Sequence, residues 1–247
     1  MQEENKLSIP IAIVLAGLFI AVAVFFSRGG TEPSANPSSG QNAPQKDITI
    51  KPVTSADHIL GNPNAPVVIV EYSDLECPFC KTFHATLHQI MGEYGDDGRV
   101  AWVYRHFPLT QLHSKAVKEA EATECAAELG GNAGFWKFTD ALFEITPSND
   151  RLDLAQLPAI AKQIGLDADA FSSCLSSGKY TSKVNQAYQD ALATGGTGTP
   201  YSIVIAGKQQ IVIEGAQSYA GVKSVIDSLL KGASSGAKAV PAIVPAR

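Results

Sequence analysis

The chain has 247 residues and a formal net charge of −5 at neutral pH. That length allows one or two domains and a sizeable core. The acidic balance and the absence of a basic stripe exclude nucleic acid as an expected partner.

Residues 9–26 form an apolar run with no charged side chain. As a helix it would span about 27 Å, close to a bilayer core of about 30 Å. A cleaved signal peptide is the competing reading. The preceding segment, residues 1–8, is a poor basic region, with two glutamates and one lysine before residue 7. No clean small-x-small cleavage site follows Phe26, so an uncleaved transmembrane anchor is expected. Lys6 and Arg28 flank the run and leave its orientation unmarked. Residues 27–54 open on a Ser-, Pro-, Gly- and Asn-rich stretch that reads as a flexible linker.

Ile59 to Pro66 reads as turn chemistry. Val67 to Tyr72 is a β-branched run, hence a buried strand. Beyond it stands Cys77-Pro78-Phe79-Cys80. Phe83, Leu87, Ile90, Met91 and Tyr94 then recur at helical spacing. Cys77 therefore lies where a strand passes into a helix, with Pro78 suited to the first turn. Unpaired N–H groups and the positive end of the helix dipole at that point favour thiolate, the reactive form of cysteine.

Arg99 to Phe107 reads as a second strand, parallel to the first across the helix. Five helices are predicted next: His113–Leu129, Phe135–Glu144, Leu154–Ile164, Ala168–Leu175 and Tyr180–Leu192. Gly130-Gly131-Asn132 separates the first two. The Glu and Lys cluster at 115–128 reads as a solvated helix face. Thr194 to Pro200 is a glycine-rich loop. A hairpin of Tyr201–Ile205 and Gln210–Glu214 follows, then a helix over Tyr219–Leu230. Residues 233–247 read as a disordered tail.

Four cysteines, Cys77, Cys80, Cys125 and Cys174, behind an export segment suit an oxidising compartment. Zinc held by Cys77, Cys80, His84 and His88 is disfavoured, because four ligands from one helix cannot surround a tetrahedral ion. No metal is expected. Those two histidines are assigned to a solvent-facing edge or a substrate groove. His58, His106 and His113 have no nameable partner, and Trp102 and Trp136 read as core anchors.

Cys-Pro-Phe-Cys at a strand-to-helix junction, the distant Gly-Thr-Gly-Thr-Pro loop opening a hairpin, and a helical block between them coincide. Over about residues 55–232 the chain resembles the DsbA-like branch of the thioredoxin superfamily, the extracytoplasmic thiol–disulfide oxidoreductases. The resemblance implies an α/β thioredoxin fold in two pieces, 55–112 and 195–232, with a helical insertion at 113–194. It implies Cys77 and Cys80 as the redox pair and Pro78 and Phe79 as the residues that tune it. Thr199 and Pro200 fall on the family's cis-proline loop, where free backbone groups pair with an extended peptide. Glu71 falls on a family glutamate under the active site, able to relay a proton if it is buried. A solvent-facing Glu71, or one paired with Arg105, is the alternative. Some family members carry a second, non-catalytic disulfide in the helical block, which makes a Cys125–Cys174 bridge the favoured reading over two free buried cysteines. Phe79 departs from the Pro-His of the strongest oxidants. It cannot donate a hydrogen bond to Cys77, so a milder oxidant is expected.

The implied function is disulfide formation in exported proteins. A disulfide isomerase or reductase, and a redox-inert binding module, are the alternatives. The implied partners are reduced or unfolded exported proteins and a quinone-linked membrane reoxidant. A membrane-anchored monomer with no cofactor is expected, its catalytic domain outside the cytoplasm.

Overall fold

The computed structural model describes residues 48–235. The predicted anchor at 9–26, its N-terminal segment, the linker up to residue 47 and the tail beyond 235 lie outside the described residues. Among the described residues no helix is long and apolar enough to cross a membrane.

In chain order the elements are β1 (His58–Gly61), β2 (Val67–Ser73), α1 (Pro78–Tyr94), β3 (Val100–His106), α2 (Ala116–Ile145), a 3-10 turn (Leu154–Gln156), α3 (Leu157–Gln163), α4 (Ala168–Ser177), α5 (Thr181–Ala193), β4 (Tyr201–Ala206), β5 (Gln209–Glu214) and α6 (Tyr219–Ser235). The strands form one sheet in the order β1-β3-β2-β4-β5. β2 and β3 run parallel, joined through α1, and every other neighbouring pair is antiparallel. This is a thioredoxin-like α/β arrangement with helices α2 to α5 inserted between β3 and β4.

Side-chain alternation sorts β2 onto two faces. Val67 and Ile69 join the large core with Phe83, Leu87, Ile90 and Tyr94 of α1 and Val222, Ile226 and Leu229 of α6. Val68, Val70 and Tyr72 join a second core with Ala191 of α5 and Tyr201 and Ile203 of β4. Glu71 shares the parity of Val67 and Ile69, so it points toward α1. The helical stripe of α1 is buried as its spacing requires.

Three sequence expectations need correction here. Ile59 to Gly61 is not a turn but part of β1, paired with β3. Its pairing with the already buried β3 outweighs the turn-forming glycine at its end. The linker stops short of residue 54, because Ile48, Ile50 and Val53 pack against the second core and Arg105 donates to the carbonyls of Lys51 and Pro52. The last helix continues through Gly232 to Ser235.

The two helices expected at 113–144 form α2, broken at Gly131, where φ is 63° and ψ −160°. Only glycine adopts that backbone readily. A fourth correction concerns the charges of this helix. Glu119, Glu121 and Glu124 are buried, not solvated. Glu124 takes hydrogen bonds from His58 (3.0 Å), His106 (3.1 Å) and Lys183 (2.6 Å), tying α2 to β1, β3 and α5. A carboxylate with three cationic or polar partners tolerates burial that a lone one does not.

Cys125 of α2 and Cys174 of α4 form a disulfide, with Cα atoms 5.8 Å apart. Replacing both by alanine is expected to cost about 2–4 kcal/mol of stability, since the bridge closes a long loop. Urea melts of the variant and parent check this. Cys77 and Cys80, at the start of α1, are expected to keep their thiol reactivity.

Candidate active site

Cys77 is the N-cap of α1, with φ −78° and ψ 122°, and Pro78 opens the helix. No side chain caps this end. The N–H groups of Phe79 and Cys80 are thus left to face the Cys77 sulfur. Cys80 lies one turn in and is fully buried. It accepts from the Asp74 N–H at 3.4 Å. Both are free thiols in this structure. The Cys77 thiol is held down to about 6, chiefly by a hydrogen bond from Cys80, and further by the Thr199 side chain and the N–H groups of Cys80 and Phe79. Burial and the neighbouring Cys77 push Cys80 up. The two sulfurs are thus set apart, one biased toward thiolate and the other toward thiol. Phe79 is 65% exposed, so its ring adds apolar surface beside Cys77 rather than a donor.

Thr199 and Pro200 come to the cysteines from far along the chain. Register explains how: Tyr201 pairs with Tyr72 near the end of β2, which sets the preceding loop beside the start of α1. The Thr199–Pro200 bond is cis. The Thr199 carbonyl accepts from the Cys77 thiol at 3.5 Å. Residues 197–201 line a cavity of about 220 Å³ with Glu214 and Gly215.

Glu71 is fully buried at the sheet centre, opposite Tyr104 and Ser202. Its Oε2 accepts from Trp102 Nε1 at 3.0 Å. Burial raises its carboxyl to about 7, against that hydrogen bond. It is not paired with Arg105, whose guanidinium sits on the other face with Asp57 at 2.8 Å. Strand alternation separates the two.

Sequence reasoning missed a polar cluster on the other side of Cys77. Asp74 accepts from the N–H groups of Glu76 and Leu109, both at 2.8 Å, and from His113 Nδ1 at 2.9 Å. Burial raises Asp74. Burial would lower His113, but the Asp74 carboxylate outweighs it and the ring is raised. Glu119 is held up to about 10 by burial and by Glu76 beside it, so it is a neutral acid at pH 7. The acidic turn before Cys77 was a signal for Asp74 and Glu76. Nothing local marked His113 or Glu119, which the fold brings in.

His84 also departs from expectation. It is buried against Trp102 and Phe143, not placed on a solvent-facing edge. Together with His88 it meets Asp140 of α2 rather than the cysteines.

A thiol biased toward thiolate, a shielded second thiol, a buried acid raised to about 7 and a cis-proline loop beside them are the parts that dithiol–disulfide exchange needs. The family model described as thioredoxin matches residues 53–228. The chain belongs to the thioredoxin family. Within that family its structural neighbours are DsbA-like thiol–disulfide oxidoreductases. DsbA2 of Pseudomonas aeruginosa is 28% identical, with a TM-score of 0.58 over 71% of this chain and 96% of that one. α-DsbA1 of Wolbachia pipientis is 27% identical, with a TM-score of 0.63 over 73% and 94%. Oxidised BdbD of Bacillus subtilis, at 24% identity, shares the fold, with a TM-score of 0.66 over 75% and 98%. Curated relatives include a protein of Mycolicibacterium gilvum named Na(+)/H(+) antiporter NhaA 1, 34% identical over 62% of this chain. The aligned stretch is only 24% of that protein. The chain thus spans about a quarter of the length of such relatives, and their transport name describes the larger whole.

Proposed function

We propose that this thioredoxin-family protein forms disulfides in reduced or unfolded exported proteins. The observation that carries the reading is the lowered Cys77 thiol beside the Thr199–Pro200 backbone, with Cys80 protected behind it.

The reaction starts from a Cys77–Cys80 disulfide. A substrate thiolate attacks Cys77 Sγ, a mixed disulfide forms, and Cys80 leaves as a thiolate. Its high proton affinity demands a proton at once, and the Glu71 carboxyl, protonated in part near pH 7, supplies it. A second substrate thiolate attacks the substrate sulfur of the mixed disulfide and releases the Cys77 thiolate. The substrate loses two electrons and the Cys77–Cys80 pair gains them. The substrate backbone lies against the Thr199 backbone as an added strand, with Phe79 as an apolar rim contact.

A low Cys77 proton affinity stabilises the reduced pair and makes the disulfide a better oxidant. The value near 6 falls between thioredoxin, about 7, and the strongest oxidants, about 3.5. The pair is thus an intermediate oxidant. Reoxidation falls to a quinone-linked membrane partner. The protein works as a monomer outside the cytoplasm, tethered through residues 9–26. The Cys125–Cys174 bridge supports that placement, since such bridges persist in oxidising compartments.

Oxidised protein mixed with a reduced, unfolded substrate is expected to lose its own disulfide one for one as substrate disulfides form. Equilibration with glutathione is expected to place its couple between about −270 and −120 mV. A potential at or below about −270 mV would favour the reductase or isomerase reading instead.

A further inference from the structure

His84 and His88 stand one turn apart on α1, so their side chains share a face. Asp140, on the second half of α2, meets both. His84 Nε2 and His88 Nε2 lie 2.7 and 2.8 Å from the same oxygen, Asp140 Oδ1, and 3.1 Å from each other. Three potential ligand atoms thus converge on one point from two different elements.

Protons alone satisfy this triangle poorly. With both Nε2 atoms protonated, each donates to Oδ1, and the two hydrogens crowd the same oxygen because the nitrogens are only 3.1 Å apart. With one protonated, the other ring turns a lone pair toward the carboxylate oxygen. A cation accepts a lone pair from all three atoms at once. We propose that His84, His88 and Asp140 form a binding site for a divalent transition metal of the zinc type.

The dimensions fit. Zinc takes nitrogen and oxygen ligands at about 2.0–2.2 Å, which sets tetrahedral ligand atoms roughly 3.3 Å apart. From 2.7, 2.8 and 3.1 Å the edges need to open by about half an ångström on the carboxylate side and less between the rings. The rings are held ready for this. His84 packs on Trp102 and Phe143, with centroids at 5.0 and 4.6 Å, and His88 packs on Trp102 at 5.3 Å. His84 floors the site with its side chain 6% exposed. His88 and Asp140 are 40% and 45% exposed, which leaves a path for the ion and a fourth position for water. Such an open three-ligand site suits imidazole-loving metals better than magnesium or calcium, which prefer oxygen. His84 Nδ1 is buried with no partner. It lacks the outer hydrogen bond that strengthens metal-bound imidazoles, so micromolar rather than nanomolar affinity is expected. The site ties α1 to the inserted helices. It is also linked to Glu71, because the Trp102 that touches both rings donates to that carboxyl.

The test is isothermal titration of Zn2+ into the full-length chain with Cys77 and Cys80 oxidised, so that no free thiol competes. One equivalent per chain is expected. His88→Ala and Asp140→Asn change half-exposed side chains, and each is expected to weaken binding at least tenfold while far-UV circular dichroism stays as in the parent. Co2+ is expected to give the visible absorption of a four-coordinate ion, lost in both variants. Failure of the oxidised chain to bind stoichiometrically, or full binding retained by either variant, would overturn the site. It would leave the three residues as a hydrogen-bonded clamp between α1 and α2. Neither outcome bears on thiol exchange at Cys77.

Discussion

Cys77→Ser is expected to reduce oxidation of an unfolded, reduced protein to the uncatalysed rate. Thiol counting over time measures it directly. The serine hydroxyl forms no disulfide, so neither the oxidised pair nor the mixed disulfide exists in this variant. Cys80 cannot substitute, because it is fully buried and its thiol is raised by burial and by its neighbour. The companion variant behaves differently. Cys80→Ser keeps the reactive sulfur at Cys77, and the mixed disulfide it forms with an oxidised substrate is expected to persist for lack of a resolving thiol. Substantial turnover by Cys77→Ser would remove the proposed mechanism.

Glu71→Gln is expected to make the protein more stable and less active. The carboxyl stands at about 7 in the fold against 4.5 for an unperturbed glutamate. Between those values the folded chain binds more protons than the unfolded one, so stability falls as pH rises through 4.5 and levels off above 7. At about 1.4 kcal/mol for each pKa unit, the full cost of holding the buried carboxylate is about 3 kcal/mol. Glutamine keeps the shape and can still accept from Trp102, but it never ionises. Urea melts are therefore expected to show a gain approaching about 3 kcal/mol at pH 8 and none near pH 4. The exchange step that protonates Cys80 is expected to slow about a hundredfold at pH 7, the scale of a lost general acid. Equal stabilities of variant and parent at pH 8 would mean that Glu71 carries no burial cost.

The redox pair, the strand before it and the helix after it were legible because each has a local signature. These are β-branched residues, a proline at the first helical position and an apolar stripe of helical period. The Thr199–Pro200 loop was legible only through resemblance, since its nearness to Cys77 depends on the pairing of β4 with β2. Glu71 was visible as a charge in an apolar strand. Its partner was not, because Trp102 and Arg105 lie on opposite faces of β3 and only the register chooses between them. The acidic positions of α2 misled for a related reason. Glu119 and Glu124 look like surface charges in a helix near Lys115 and Lys118, yet their neighbours come from β1, β3, α5 and the turn before Cys77. His84 and His88 were read together with the nearby cysteines. Their true neighbour, Asp140, is fifty-odd positions away on another helix.

On this mechanism Cys77 is a thiolate near neutral pH while Cys80 is not. Thiolate absorbance of the fully reduced protein, followed from pH 4 to pH 10, tests it most directly. One thiolate is expected to appear with a midpoint near 6, and the second only above the ordinary thiol range. Both thiols ionising together at about pH 8.5, as free cysteines do, would rule out a mechanism built on a single reactive thiolate.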